Sequence, residues 1–169
     1  MPAASEPIAV NTGPLIALAA CEALDILRQL HSQVLVPTAV VEEFGRGKSG
    51  EIVLTKLPAW LDVRPLATPL PAVLVAHLDV GEASAIALAL EMGIGLVALD
   101  ERRGRIVARD LGIGVTGSLG LLLRAKRLGL IDAVAPRVTT MRRKGIWLSD
   151  ALVRRVLAEA QERARDDGR

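Results

Sequence analysis

The chain has 169 residues, of which 51% are hydrophobic and only 2% aromatic, with a formal net charge of +2. That length suits one domain and buries roughly 70% of the unfolded surface, so no disulfide or metal staple is needed. The single cysteine, Cys21, excludes an intramolecular disulfide and a cysteine-based zinc centre, and fits a reducing cytoplasm.

The N-terminal region carries Glu6, Pro7 and Pro14 and has no Lys or Arg before Arg28, so a signal peptide is not expected. No uncharged apolar run reaches about 18 residues, so no membrane span is expected either. Ile8-Ala9-Val10 reads as a first strand ending at Asn11. Asn11-Thr12-Gly13-Pro14 reads as a strand-to-helix turn that Asn11 or Thr12 can cap, with Pro14 in the first helical turn. A helix follows from Leu15 to Leu30, in two pieces around Cys21-Glu22. Val34-Leu35-Val36 is the second strand, and Pro37 opens a short helix that ends in Glu42-Glu43. Acidic groups in a last helical turn oppose the macrodipole at about 0.3–1 kcal/mol each, which hints that one of them has another task.

Gly45-Arg-Gly-Lys-Ser-Gly50 matches G-x-G-x-x-G by letters. It follows a helix rather than a strand, and the first glycine of a P-loop would fall at Glu42, so a nucleotide-binding reading is set aside in favour of a loop. Trp60 to Leu66 suits an edge strand because of Pro65. Thr68 to Leu78 is a proline-punctuated helical stretch. From Asp79 to Arg109 the pattern is helix, strand, helix. Ala83, Ile86, Ala87, Leu90 and Met92 recur at helical spacing, and Leu96 to Leu99 form an all-apolar strand that stops at Asp100. A charged helix then begins at Glu101-Arg102-Arg103. Ile113 to Thr116 is a further strand, Ser118 to Leu128 a helix, and Ile131 toward Lys144 another with Pro136 near its start. Ser149 caps a last helix, Asp150 to about Ala164, with fraying from Asp166 onward. Alternation of strands and helices gives an α/β fold: one domain over 1–169, built on a short, mostly parallel sheet of four or five strands, with the helices from about 131 as an accessory extension.

The chemistry lies in the acids. Each has a structural explanation. Asp79 and Glu82 fit a capping box, Asp100 can cap the helix after it, and Asn11 can simply make a turn. Together they differ from a random set, because Asn11, Asp100 and Thr116 all end apolar strands at one edge of the inferred sheet. Glu43 and Glu82 lie on helices beside those strands. Two carboxylates 4 Å apart repel by about 4 kcal/mol at an effective dielectric of 20, so such a cluster needs a cation or a proton. Oxygen donors without Cys or His select a hard ion, Mg²⁺ or Mn²⁺, which activates water in phosphodiester hydrolysis. Arg102, Arg103 and Arg105 beside Asp100, Arg124, Lys126 and Arg127 after Thr116, and Arg142, Arg143 and Lys144 are either solvated helix faces or a phosphate-binding rim. With so few aromatics, base stacking is not the expected main contact. His31 and His77 stand alone and read as packing or surface residues, and Cys21 as a small core residue.

The segments Val10-Asn-Thr-Gly-Pro-Leu-Ile16, Val36-Pro-Thr-Ala-Val-Val-Glu-Glu-Phe44, Asp79-Val-Gly-Glu-Ala83 and Leu99-Asp-Glu-Arg-Arg-Gly-Arg105 resemble PIN-domain proteins in that order. Val115-Thr-Gly-Ser-Leu-Gly120 and Lys126-Arg-Leu-Gly-Leu-Ile131 resemble one toxin-like PIN subfamily. The resemblance implies a three-layer α/β/α fold and a cytoplasmic, Mg²⁺- or Mn²⁺-dependent endoribonuclease. It further implies a homodimer and the toxin half of a toxin–antitoxin pair, with RNA and an antitoxin protein as partners. Carried onto this chain, the catalytic set is Asn11, Glu43, Glu82 and Asp100, and the metal ligands are Glu43, Glu82 and Asp100. Glu42 is the other register for the second acid. Thr12, Arg102, Arg103, Arg105, Thr116 and Lys126 would contact substrate. Asn11 departs from the family, which carries an acid there. The neutral amide removes one negative charge, and the alternative is a catalytically weakened PIN-like module that binds RNA or a protein.

Overall fold

The computed structural model describes residues 5–45 and 57–162. Five strands, β1 (Ile8–Val10), β2 (Val34–Pro37), β3 (Asp62–Arg64), β4 (Leu96–Ala98) and β5 (Gly114–Thr116), form one all-parallel sheet in the order β3-β2-β1-β4-β5. The expected edge strand lies where Pro65 required it, with β3 outermost. The helices are α1 (Thr12–Ala20), α2 (Ile26–Leu30), α3 (Thr38–Gly45), α4 (Ala72–Val75), α5 (Val80–Met92), α6 (Arg102–Asp110), α7 (Ser118–Arg127), α8 (Ala135–Arg143) and α9 (Asp150–Glu159).

The alternation of strand side chains divides the core into two layers. Ile8, Val10, Val34, Val36 and Ala98 face one way and pack with α1, α2, α7, α8 and α9. Ala9, Leu35, Val97 and Leu99 face the other way and pack with α5 and α6. Right-handed crossovers require this division. The chain steps outward from β1 to β2 with α1 and α2 on one face. It then returns and steps the opposite way from β4 to β5 with α6 on the other.

Gly93-Ile94 and Gly112-Ile113 make the same helix ending twice. Both glycines are left-handed, with φ of 65° and 77°. Each following isoleucine is buried and donates its amide back into the helix it leaves, Ile94 to Ala89 O at 2.8 Å and Ile113 to Ala108 O at 2.9 Å.

Some expectations change. Only Ala72–Val75 of the 68–78 stretch is helical, because prolines at 69 and 71 leave one turn. Leu90 and Met92 are exposed, 47% and 49%, whereas Ala83, Ile86 and Ala87 are buried, so the helix sinks only its first three turns into the core. Pro136 falls in the first turn of α8, where its missing N–H costs nothing. Ser149 does cap α9, its Oγ accepting from Leu152 N at 3.2 Å. The glycine-patterned loop from 46 and the fraying from Asp166 lie outside the described residues.

Candidate functional site

The strand order reverses between β1 and β4, and in open parallel sheets the crevice at such a switch point receives the ligand. Asn11 follows β1 and Asp100 lies two residues after β4, so both stand at the carboxyl edge of this crevice. Asn11 is the N-cap residue of α1 but does not cap it. Its side chain is buried, and Oδ1 has no hydrogen-bond partner among the described residues.

Thr12 does not cap either. Its hydroxyl donates to Glu43 Oε2 at 2.8 Å, which ties α1 to the last turn of α3. That contact accounts for an acid placed against the helix dipole. Of the two registers, Glu43 is the half-buried residue and Glu42 the exposed one. A methyl group at Gly81, in the first turn of α5, would lie 2.8 Å from Asn11 Oδ1, 3.0 Å from Glu43 Oε2 and 3.4 Å from Asp79 Oδ1. Three oxygens from three separate chain segments therefore crowd one small volume, into which a Cβ at Gly81 would push. Asp79, which sequence reasoning assigned to capping alone, also brings its Oδ1 to this volume, a position that no signal in the sequence gives.

Asp79 and Glu82 do form the expected capping box. Glu82 N donates to Asp79 Oδ1 at 2.7 Å and Asp79 N to Glu82 Oε2 at 3.4 Å. Glu82 Oε1 is left buried and without a partner among the described residues, pressed toward Gly104 of α6. Burial raises the Glu82 pKa, and the neighbouring Asp79 charge adds to the rise.

Asp100 is held differently from the sequence expectation. The N-cap of the following helix is Glu101, with no side-chain cap, and Asp100 instead reaches across to α7. Its Oδ1 accepts from Ser118 N at 2.7 Å and Ser118 Oγ at 3.1 Å, so it closes the start of the neighbouring helix. Surrounding protein raises its pKa, while the Ser118 bonds and the Arg105 charge oppose the rise. The carboxyl still opens to water in the cleft, which tempers the burial effect. Arg105 donates Nη1 to Leu99 O at 2.9 Å and lies beside Asp100.

From Asp100 a cleft of about 1200 Å³ extends between α6, α7, α9 and the α8–α9 linker. Arg102, Arg105 and Thr116 line it. Arg103 is not among its walls, since it starts α6 on the side of Glu82. Lys126 is turned away: its Nζ donates to Ala160 O at 2.6 Å and to Glu162. Its helical neighbours Arg124 and Arg127 line the cleft instead, joined by Lys144 and Arg155.

A family model described as a PIN domain matches residues 7–162. The chain is a PIN-domain protein. Its five-stranded parallel α/β architecture fits that fold, and PIN domains are in general nucleases that act on RNA. Comparisons with curated proteins and with solved structures find no match.

PIN-domain nucleases generally use divalent metals. The donors at this crevice are all oxygens, and among the described residues Asn11 Oδ1, beside Glu43, and Glu82 Oε1 are buried with no hydrogen-bond partner, the kind of atom a hard cation takes as a ligand. In donor chemistry they fit Mg²⁺ or Mn²⁺. In number they do not close a cage: among the described residues no three Asp, Glu, His or Cys side chains gather as a metal-holding group. No helix among them is long and apolar enough to cross a membrane.

Proposed function

We propose that this PIN-domain protein is a divalent-metal-dependent endoribonuclease, the toxin half of a toxin–antitoxin pair, acting in the cytoplasm. The observation that carries the reading is the switch point itself, where Asn11 and Asp100 flank one crevice, with Glu43 bonded in through Thr12 and cations lining the adjoining cleft. Glu43, Glu82 and Asp100, which do not gather as a group among the described residues, would be the acids to hold Mg²⁺ or Mn²⁺ once the ion draws them in. The ion would supply a more acidic water and charge for the phosphoryl oxygens. Asn11 would orient the attacking water through its amide oxygen. Thr12 fixes the rotamer of Glu43, and Ser118 that of Asp100. Arg102 and Arg105 would take the phosphate charge, with Thr116 beside them. The exposed Val73, Val75 and Val80 on α4 and α5 suit a homodimer or antitoxin contact.

The test is cleavage of a single-stranded RNA with Mn²⁺, with and without EDTA. Cleavage should vanish with EDTA and fall at least about 100-fold in Asp100→Ala, as for removal of one charge-stabilising group. Cleavage that survives both overturns the proposal.

A second reading is favoured by two specific observations, the neutral Asn11 and the absence of a three-acid group among the described residues. On it the protein is a catalytically weakened PIN-like module that binds RNA or a protein. Asn11→Asp separates the two. If the variant binds Mn²⁺ and the wild type does not, the second reading holds.

A further inference from the structure

The cleft that Asp100 lines also carries a residue that the acid chemistry leaves unused. Trp147 is 85% exposed, the most exposed of the large hydrophobic side chains among the described residues. It stands in the short linker between α8 and α9, and that linker is braced on both sides. Arg142 Nη2 donates to Leu148 O at 2.6 Å and to Asp150 Oδ1 at 2.7 Å. Ile146 N donates to Met141 O at 3.0 Å, and Ile146 and Leu148 pack against the core. The backbone is thus held on either side of an indole that buries almost nothing. A side chain placed for packing would be turned inward, as Ile146 and Leu148 are.

The surroundings limit what the indole can receive. It lines the same cleft as Asp100, with Arg102, Arg105, Arg124, Arg127, Lys144 and Arg155 on the walls against two further acids, Glu101 and Glu159. The volume exceeds the roughly 300–1,000 Å³ of small-molecule pockets, and the excess of positive charge calls for a polyanion. A polyanion that also offers flat aromatic faces is a nucleic acid with unpaired bases. In a duplex those faces are stacked on one another and closed to the indole.

Resting on the ribonuclease reading, we propose that Trp147 is the platform on which one unpaired base of the RNA stacks, with the phosphates beside that base carried along the cleft toward Asp100. Trp147 would be a positioning residue: it sets which phosphate reaches the crevice and touches no reacting atom. Stacking on an aromatic platform is sequence-tolerant, so the site would select for strandedness more than for base identity.

The test is binding in EDTA, where cleavage plays no part. In a Trp60→Phe background Trp147 is the only tryptophan, so its fluorescence reports on the platform alone. A single-stranded oligoadenylate should quench it on binding, and a duplex RNA of equal length should not. Trp147→Ala should weaken single-strand binding by about 5- to 150-fold, the loss of one base stack, and Trp147→Phe should recover part of that. Because the ring is almost fully exposed, the variants should fold as the wild type does. With Mn²⁺, Trp147→Ala should also move or blur the cleavage positions on a defined RNA, which a purely structural role would not do. Quenching by single strands without any cleavage would retain this inference and remove the nuclease reading. Cleavage with unchanged Trp147 fluorescence and unchanged affinity in Trp147→Ala would retain the nuclease and overturn the platform. Equal quenching by duplex, or loss of self-association rather than of RNA affinity in Trp147→Ala, would also overturn it.

Discussion

At the scale of single residues, the site depends on atoms held close without filling the space between them. Gly81→Ala tests this. Alanine is the better helix residue by about 1 kcal/mol, so the fold should survive. Its methyl group, however, would meet Asn11 Oδ1 at 2.8 Å and Glu43 Oε2 at 3.0 Å. Mn²⁺ affinity by calorimetry should fall about tenfold or more, a 1.4 kcal/mol effect, with the melting temperature nearly constant; unchanged affinity would separate Gly81 from the site. His31 gives a pH test remote from the acids. It is buried, its Nδ1 meets Glu6 O at 3.0 Å, and Nε2 has no partner among the described residues. Burial lowers its pKa below the ordinary 6.5. The folded state therefore resists protonation, so the stability tied to neutral His31 is present above pH 6.5 and lost as pH falls through the lowered value. Between pH 7 and 5 the wild type should lose more stability to urea than His31→Asn, and equal losses would refute the burial argument.

At the scale of elements, most of the fold was legible because its signals are local. The apolar runs at Ile8, Val34 and Leu96 follow from periodicity alone. The capping box at Asp79 and Glu82 and the cap at Ser149 were equally readable. What was not legible is made between elements. Asp100 was expected to cap the helix that follows it and instead bonds Ser118 of α7, a choice set by the spacing of β4 and β5. Glu162 carried no signal, yet it accepts from Val134 N and Ala135 N, both at 2.8 Å, and pairs with Lys126, so it fastens α8 to α7 from the end of α9. This contact engages the Lys126 ammonium on the side away from the cleft walls. Burial would raise the Glu162 pKa, but the Lys126 bond and the two amides outweigh it and hold it below the ordinary 4.5. Glu162→Ala should therefore cost about 2 kcal/mol near neutral pH. That cost should shrink as pH falls below 4.5 and the wild-type carboxyl takes up its proton. A cost under about 0.5 kcal/mol, the range of ordinary surface substitutions, would show that the fastening is incidental.

At the scale of the whole molecule, the net charge of +2 conceals an uneven distribution. The charge runs in the sequence divide in space: Arg124 and Arg127 line the cleft, Lys126 between them does not, and Arg142 is engaged with Leu148 and Asp150. One helical turn decides which cations face the cleft, and no count of Lys and Arg contains that information. Salt dependence reads it directly. A single-stranded RNA held by phosphate contacts releases about 0.7 counterions per contact, so the logarithm of affinity falls linearly with that of salt concentration. Arg124→Gln and Arg127→Gln should each reduce the slope by about 0.7, and the double variant by about twice that. Arg28 is paired with Asp25 at 3.0 Å on α2 and does not line the cleft. Arg28→Gln should leave the slope unchanged although it removes the same charge from the molecule. If all three substitutions lowered the slope equally, the attraction would be that of the overall charge and the cleft would have no part in guiding RNA to Asp100.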